Sequence, residues 1–228
     1  MSTLEQNYQH VTQRLQQACE QAQRNPNAVK LLAVSKTKPA AMVEQCYALG
    51  QRSFGENYLQ DGLDKIESLA HLSDIEWHFI GPIQSNKTRP IATHFQWVET
   101  VSRDKIARRL SDQRPTDLPP LNVLLQVNIS EEPQKAGITL AEAEALARLV
   151  EELPQLTLRG LMCIPEHTDD DQQLAQQFER MNDAFAALKQ QFPQVDTLSM
   201  GMSADMSLAI RHGSSEVRIG TDIFGSRN

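Results

Sequence analysis

Eight short apolar runs, separated by segments of helical pattern, constrain the fold of this chain more than any other feature. The first begins at Lys30 and ends at Ser35-Lys36, and the others occupy residues 53–57, 76–81, 96–101, 121–129, 158–164, 196–201 and 216–220. Each has the length of a strand and is bounded by turn-forming residues. The stretches between them, such as residues 40–50 and 139–153, repeat apolar residues at helical spacing. Strands that alternate with helices pair in parallel through crossover connections. Eight such units close into a barrel, and 228 residues is an ordinary length for one, about 200 to 250. An open doubly wound sheet would carry a G-x-G-x-x-G turn after its first strand, where this chain has Ser35-Lys36-Thr37-Lys38-Pro39. We therefore expect an α/β protein of one domain, residues 1–228: a (β/α)8 TIM-type barrel with an extra helix formed by the polar N-terminal segment. Residues 114–120, the most linker-like stretch, fit a loop entering the fifth strand.

Composition narrows the function classes. A net charge of -7 gives no basic field for a phosphate backbone, so nucleic acid is not an expected partner. No run approaches the roughly 20 apolar residues of a membrane span, and the N-terminus lacks a signal peptide's apolar core. Cys19, Cys46 and Cys163 lie far apart without metal-ligand spacing, which fits the cytoplasm and neither a disulfide framework nor a zinc site.

Barrel active sites form at the C-terminal ends of the strands, and here those ends are polar. Lys36 closes the first strand, where a desolvated amine in a cation-rich barrel mouth is a nucleophile for an aldehyde; a lone lysine at a strand end more often snorkels to water. The runs after strands seven and eight place Gly201, Met202 and Ser203, then Gly220 and Thr221, where barrels commonly build a phosphate site. Arg218 should point inward, towards a ring nitrogen, a phosphate or a carboxylate, or else pair with an acid such as Glu56 or Asp222. Asn57 and His78 can hydrogen-bond a ligand, although residues like them at strand ends more often satisfy neighbouring backbone. Lys87 and Lys135 could attract a substrate or cofactor phosphate, although a loop lysine taken alone is more often a solvated charge. The acids around His167 invite a metal, yet Thr168, Asp169 and Asp170 fit a helix N-cap better, so no metal is expected.

Together the motifs AVSKTKP, FGENY, WHFIGPIQSNK, MGMSADMSLAI and VRIGTDIFG, in this order over nearly the whole chain, strongly resemble the pyridoxal phosphate homeostasis protein family, whose barrel is similar to the N-terminal domain of alanine racemase. The resemblance implies pyridoxal 5′-phosphate (PLP) held as an internal aldimine on Lys36. It implies a phosphate site of Ser203, Gly220 and Thr221, Arg218 at the pyridine nitrogen, and Asn57, His78 and Met202 lining the pocket. Racemases of that fold take a second acid/base, a tyrosine, from a further domain of a partner subunit, whereas the only tyrosines here are Tyr8, Tyr47 and Tyr58. Two opposed bases are needed to invert a carbon centre. The expected function is thus a monomeric carrier of PLP in vitamin B6 homeostasis that is not an enzyme; a PLP-dependent racemase is the alternative. Other B6 vitamers are further expected ligands, and transient contact with PLP-dependent enzymes is the expected protein interaction, with a regulatory docking role for loops such as 82–90 as a third reading.

Overall fold

The structure, a computed structural model, describes residues 3–166, 168 and 170–226. Eight parallel strands close into one barrel in sequence order: β1 (Lys30–Val34), β2 (Ser53–Glu56), β3 (Glu76–Phe79), β4 (Trp97–Val101), β5 (Leu121–Val127), β6 (Leu156–Cys163), β7 (Thr197–Ser199) and β8 (Glu216–Ile219). The ring is completed where β1 pairs with β8, Leu32 standing opposite Arg218. All eight expected strands are present, with ends that move by a few residues. The first stops at Val34, and Ser35 and Lys36 lead into a turn in which Thr37 takes a left-handed φ of 63°.

The main core lies between the barrel and its helices, where Phe54, Phe95 and Phe178 are fully buried. Inside the barrel the apolar cluster is small, Trp97, Leu124 and Met162, which leaves the remaining interior for polar side chains. The crossover helices are α2 (Ala40–Ala48), α3 (Leu59–Ser68), α4 (Thr88–His94), α5 (Asp104–Gln113), α6 (Leu140–Glu151), α7 (Asp171–Gln191) and α8 (Met206–Arg211). The expected extra helix, α1 (Thr3–Gln21), packs against α2, α8 and the four-residue α9 (Thr221–Phe224) that follows β8. The stretch 114–120 does enter β5, and it is anchored: buried Arg114 donates to the carbonyls of Ala92, Phe95 and Pro119. At the start of α7 the Asp170 carboxylate accepts from the Gln172 and Gln173 amides at 2.9 and 3.1 Å, the capping role expected there; His167 and Asp169 lie outside the described residues. Among the described residues no helix is long and apolar enough to cross a membrane.

Candidate functional site

A cavity of about 380 Å3 opens at the C-terminal ends of β1, β2, β3, β6 and β8, a volume suited to a small organic ligand. Seven of the eight residues singled out in the sequence line it: Lys36, Asn57, Met202, Ser203, Arg218, Gly220 and Thr221. Lys36 is half-buried. Gly220 precedes α9, and the amides that open a helix have no partners within it. The Met202 amide donates to the Asp205 carboxylate at 2.5 Å, which folds the loop after β7 back over the cavity. Lys38 and Asp222 also line the space, while Lys87 and Lys135 do not. Lys135 instead pairs with Glu132 at 2.5 Å.

Arg14 carries no signal in the sequence pattern. From α1 it donates to Asp222 at 2.6 Å and to the Ser203 carbonyl at 2.8 Å, and so ties together the two loops that offer hydroxyl groups to the cavity. Asp222 is thereby occupied, and Glu56 is bonded to Lys65 at 2.8 Å. Neither pairs with Arg218, contrary to one reading of that residue. Its guanidinium is buried and donates to Ser199 Oγ and to the Cys163 carbonyl, both at 2.8 Å, an arrangement that fixes its plane at the cavity wall.

His78 departs from expectation. Its ring is fully buried inside the barrel and does not line the cavity. Successive strand residues face opposite ways, and the inward position at His78 falls deeper in the barrel than the cavity floor. There the ring stacks on Trp97 at 5.0 Å, and Nδ1 lies 2.7 Å from Glu99. Burial holds the imidazole down to about 4, so it is neutral at physiological pH. Glu99 in turn accepts from Ser199 Oγ at 2.9 Å, which makes one chain of contacts from His78 through Glu99 and Ser199 to Arg218.

Glu216 completes this interior group. Neither of its oxygens receives a hydrogen bond, and burial first, with the Glu99 charge second, pushes its carboxyl up to about 7. Ligand-type atoms of His78, Glu99 and Glu216 lie within 4.8 Å of one another. A proton held on the carboxyl pair relieves the repulsion between the two acids, while His78 Nε2 has no hydrogen-bond partner. The folded protein binds that proton more tightly than the unfolded chain does, so its contribution to stability is complete below about pH 4.5 and is lost as the pH rises through about 7. Glu216→Gln mimics the protonated form at every pH. Chemical denaturation should show the variant gaining on the parent by about 1 kcal/mol from about pH 6 to about pH 8; a pH-independent difference would contradict the shared proton.

Comparison with known proteins identifies the fold and the family. The family model for the N-terminal domain of alanine racemase matches residues 5–228. The pyridoxal phosphate homeostasis protein of Vibrio alginolyticus is 52% identical over 231 residues, covering 100% of this chain and 99% of the relative. The chain belongs to the pyridoxal phosphate homeostasis protein family. Within that family it is similar to PipY of Synechococcus elongatus, solved with PLP bound, at a TM-score of 0.80 and 35% identity, with 92% of this chain and 99% of that one covered. Alanine racemase of Corynebacterium glutamicum, at 16% identity and a TM-score of 0.75, shares the barrel fold; this chain covers 62% of it.

Proposed function

We propose that this chain holds PLP as a Schiff base on Lys36 and serves vitamin B6 homeostasis as a carrier rather than as a catalyst. The observation that carries the reading is the convergence of a half-buried lysine, a buried arginine and two hydroxyl-bearing loops on one cavity at the C-terminal face of the barrel. The residues fit the group. Asn57 Oδ1 is buried in the cavity wall without a partner, an acceptor that awaits a donor. A Cβ on Gly220 would come 3.1 Å from the Val34 carbonyl, so glycine there lets the backbone run close beside β1. Ser203, Gly220 and Thr221 would hold the phosphate through hydroxyls and amides, Arg218 would face the ring nitrogen, and Asn57 and Met202 would border the ring.

The Lys36 amine adds to the aldehyde carbon, and loss of one water leaves a C=N bond. When bound, the cofactor supplies a ring that can accept electrons from a carbon centre. A fixed guanidinium beside the ring nitrogen disfavours its protonation and weakens that property. Among the described residues that line the cavity, Asp222 is tied to Arg14 and Lys38 to the Ser226 carbonyl, which supports a site without a free second base for racemisation. Other B6 vitamers that carry a phosphate would meet the same cradle, and recipient PLP enzymes would be met transiently. Three buried free cysteines accord with the cytoplasm. Tyr58, Ile164 and Met202 are the exposed large apolar side chains among the described residues, too small an apolar surface for an obligate dimer, which supports a monomer.

The test is a visible spectrum of purified protein before and after borohydride reduction, followed by mass mapping and by incubation of the loaded protein with an apo-enzyme. We expect an imine band, a reduced adduct on Lys36 and recovery of the apo-enzyme's activity. A colourless protein that added PLP leaves unchanged ends the reading. Multiple-turnover exchange of an amino acid's α-proton with deuterium would replace the carrier with an enzyme.

A further inference from the structure

The backbone that presents Lys36 is held on both sides by one buried ionic group. Lys65 of α3 is 3% exposed, and its ammonium donates to Glu56 at 2.8 Å, to Asp61 at 2.9 Å and to the Ser35 carbonyl at 2.8 Å. Ser35 is also bound through its hydroxyl, which donates to Glu56 at 2.5 Å. On the other side of Lys36, the Thr37 amide donates to Asp61 at 2.8 Å. Thr37 is the residue with the left-handed φ of 63°, a conformation that costs a non-glycine residue energy and persists only where its surroundings impose it. Every ionic partner of Lys65 therefore ends on a neighbour of Lys36, and Glu56, Asp61 and Lys65 do not themselves line the cavity.

A surface ion pair would need no such economy. Burying an ammonium and a carboxylate is expensive and weak evidence for stability; what such a group provides is geometry, because each of its bonds has a fixed direction. We propose that Asp61 and Lys65 are positioning residues for Lys36: they clamp Ser35 and Thr37 so that the turn after β1 keeps the Lys36 amine directed into the cavity. The proposal rests on the Schiff-base reading of Lys36 and adds to it the residues that set the rate of imine formation. In that step the amine nitrogen forms a bond to the aldehyde carbon and one water leaves. Its rate depends on the angle and distance of approach, to which misplacement by an ångström is worth about 100-fold.

Lys65→Met leaves the buried Glu56 carboxyl and Ser35 carbonyl without their shared donor and can unfold the protein, so Asp61→Ala is the principal variant. Asp61 is partly exposed, and its loss removes the Thr37 tether while the Lys65 bonds to Glu56 and Ser35 remain. Asp61→Asn keeps an acceptor for the Thr37 amide. Three readouts separate the cases. Stopped-flow formation of the imine band after PLP addition should be about tenfold or more slower in Asp61→Ala and largely restored in Asp61→Asn. Affinity for pyridoxine 5′-phosphate, which has an alcohol in place of the aldehyde, should stay within about twofold of the parent, because the phosphate cradle is untouched. Hydrogen exchange of the Thr37 amide should be about tenfold faster in Asp61→Ala than in the parent.

Wild-type imine kinetics in Asp61→Ala, or an equal loss of affinity for the alcohol, overturns the positioning role. A parent protein that forms no imine ends the Schiff-base reading instead. In that case an unchanged Thr37 exchange rate overturns the clamp as well, and a faster one retains it as the device that orders the turn.

Discussion

Lys36→Ala should leave the purified protein colourless, and borohydride should fix no PLP mass on it. The phosphate cradle and Arg218 are untouched by this change, so the variant should still bind PLP, but without the C=N bond. We expect an affinity loss of about 100-fold, or about 2.7 kcal/mol at 1.4 kcal/mol per decade. Lys36→Arg is the sharper control, since it keeps a cation at the cavity and cannot form the imine because a guanidinium stays protonated. Equilibrium dialysis against PLP and pyridoxine 5′-phosphate reads the difference: parent and variant should differ strongly for the aldehyde and little for the alcohol. Equal affinity of parent and Lys36→Ala for PLP would mean that the cavity holds its ligand without covalent help, and the assignment of Lys36 would fall.

The selectivity of that experiment depends on the barrel interior behind Arg218. Among the described residues the guanidinium makes no ion pair; its charge lowers the Glu99 carboxyl through space, and Ser199 Oγ links the two by hydrogen bonds. It is thus a cation fixed by two hydrogen bonds, and a ring nitrogen placed against it would have reason to stay unprotonated. The same interior group explains why His78 does not line the cavity. Its Nδ1 is engaged by Glu99, its ring stacks on Trp97, and burial keeps it neutral.

These contacts mark the boundary of what the sequence discloses. The eight strands are legible because each must bury both faces and therefore reads as an apolar run. Lys36, Arg218 and the two loops after β7 and β8 are legible because barrels place their sites at strand ends. Depth inside the barrel is not legible. His78 and Arg218 both point inward, yet the stagger of strands around the ring puts one below the cavity and the other in its wall. Glu56 and Asp222 are candidate partners of Arg218 in the sequence, but they are taken by Lys65 and Arg14, residues on helices whose approach no local pattern encodes. A signal was present for the interior group all the same: Glu99 and Glu216 are charges inside apolar strand runs, where a carboxylate needs a partner or a proton.

Gly81→Ala should be the most damaging of the single-methyl changes near the site, and the reason lies in the junction of β2 with β3. A Cβ at position 81 would stand 2.0 Å from the Asn57 carbonyl oxygen, 2.7 Å from its carbon and 2.9 Å from its Cα. All three are backbone atoms, so no side chain can turn aside to make room. The strand ends must separate, which pulls on the Ile80 amide bond to the Glu56 carbonyl at 2.9 Å and on the Thr100 hydroxyl bond to the Gly81 carbonyl at 2.7 Å. Overpacking of this kind costs roughly 3 kcal/mol, and for a chain of this size that lowers the melting temperature by roughly 10 °C. The displacement also carries Asn57 out of the cavity wall, so PLP loading should fall along with stability. Gly220→Ala supplies the comparison, because its added Cβ meets the Val34 carbonyl at 3.1 Å, which a shift of a few tenths of an ångström relieves; its effect should fall on phosphate binding with little change in melting. Thermal denaturation of both variants with and without PLP tests the contrast. A Gly81→Ala protein that melts within about 2 °C of the parent would show that the ends of β2 and β3 can part freely, and that Asn57 is not held in place by this contact.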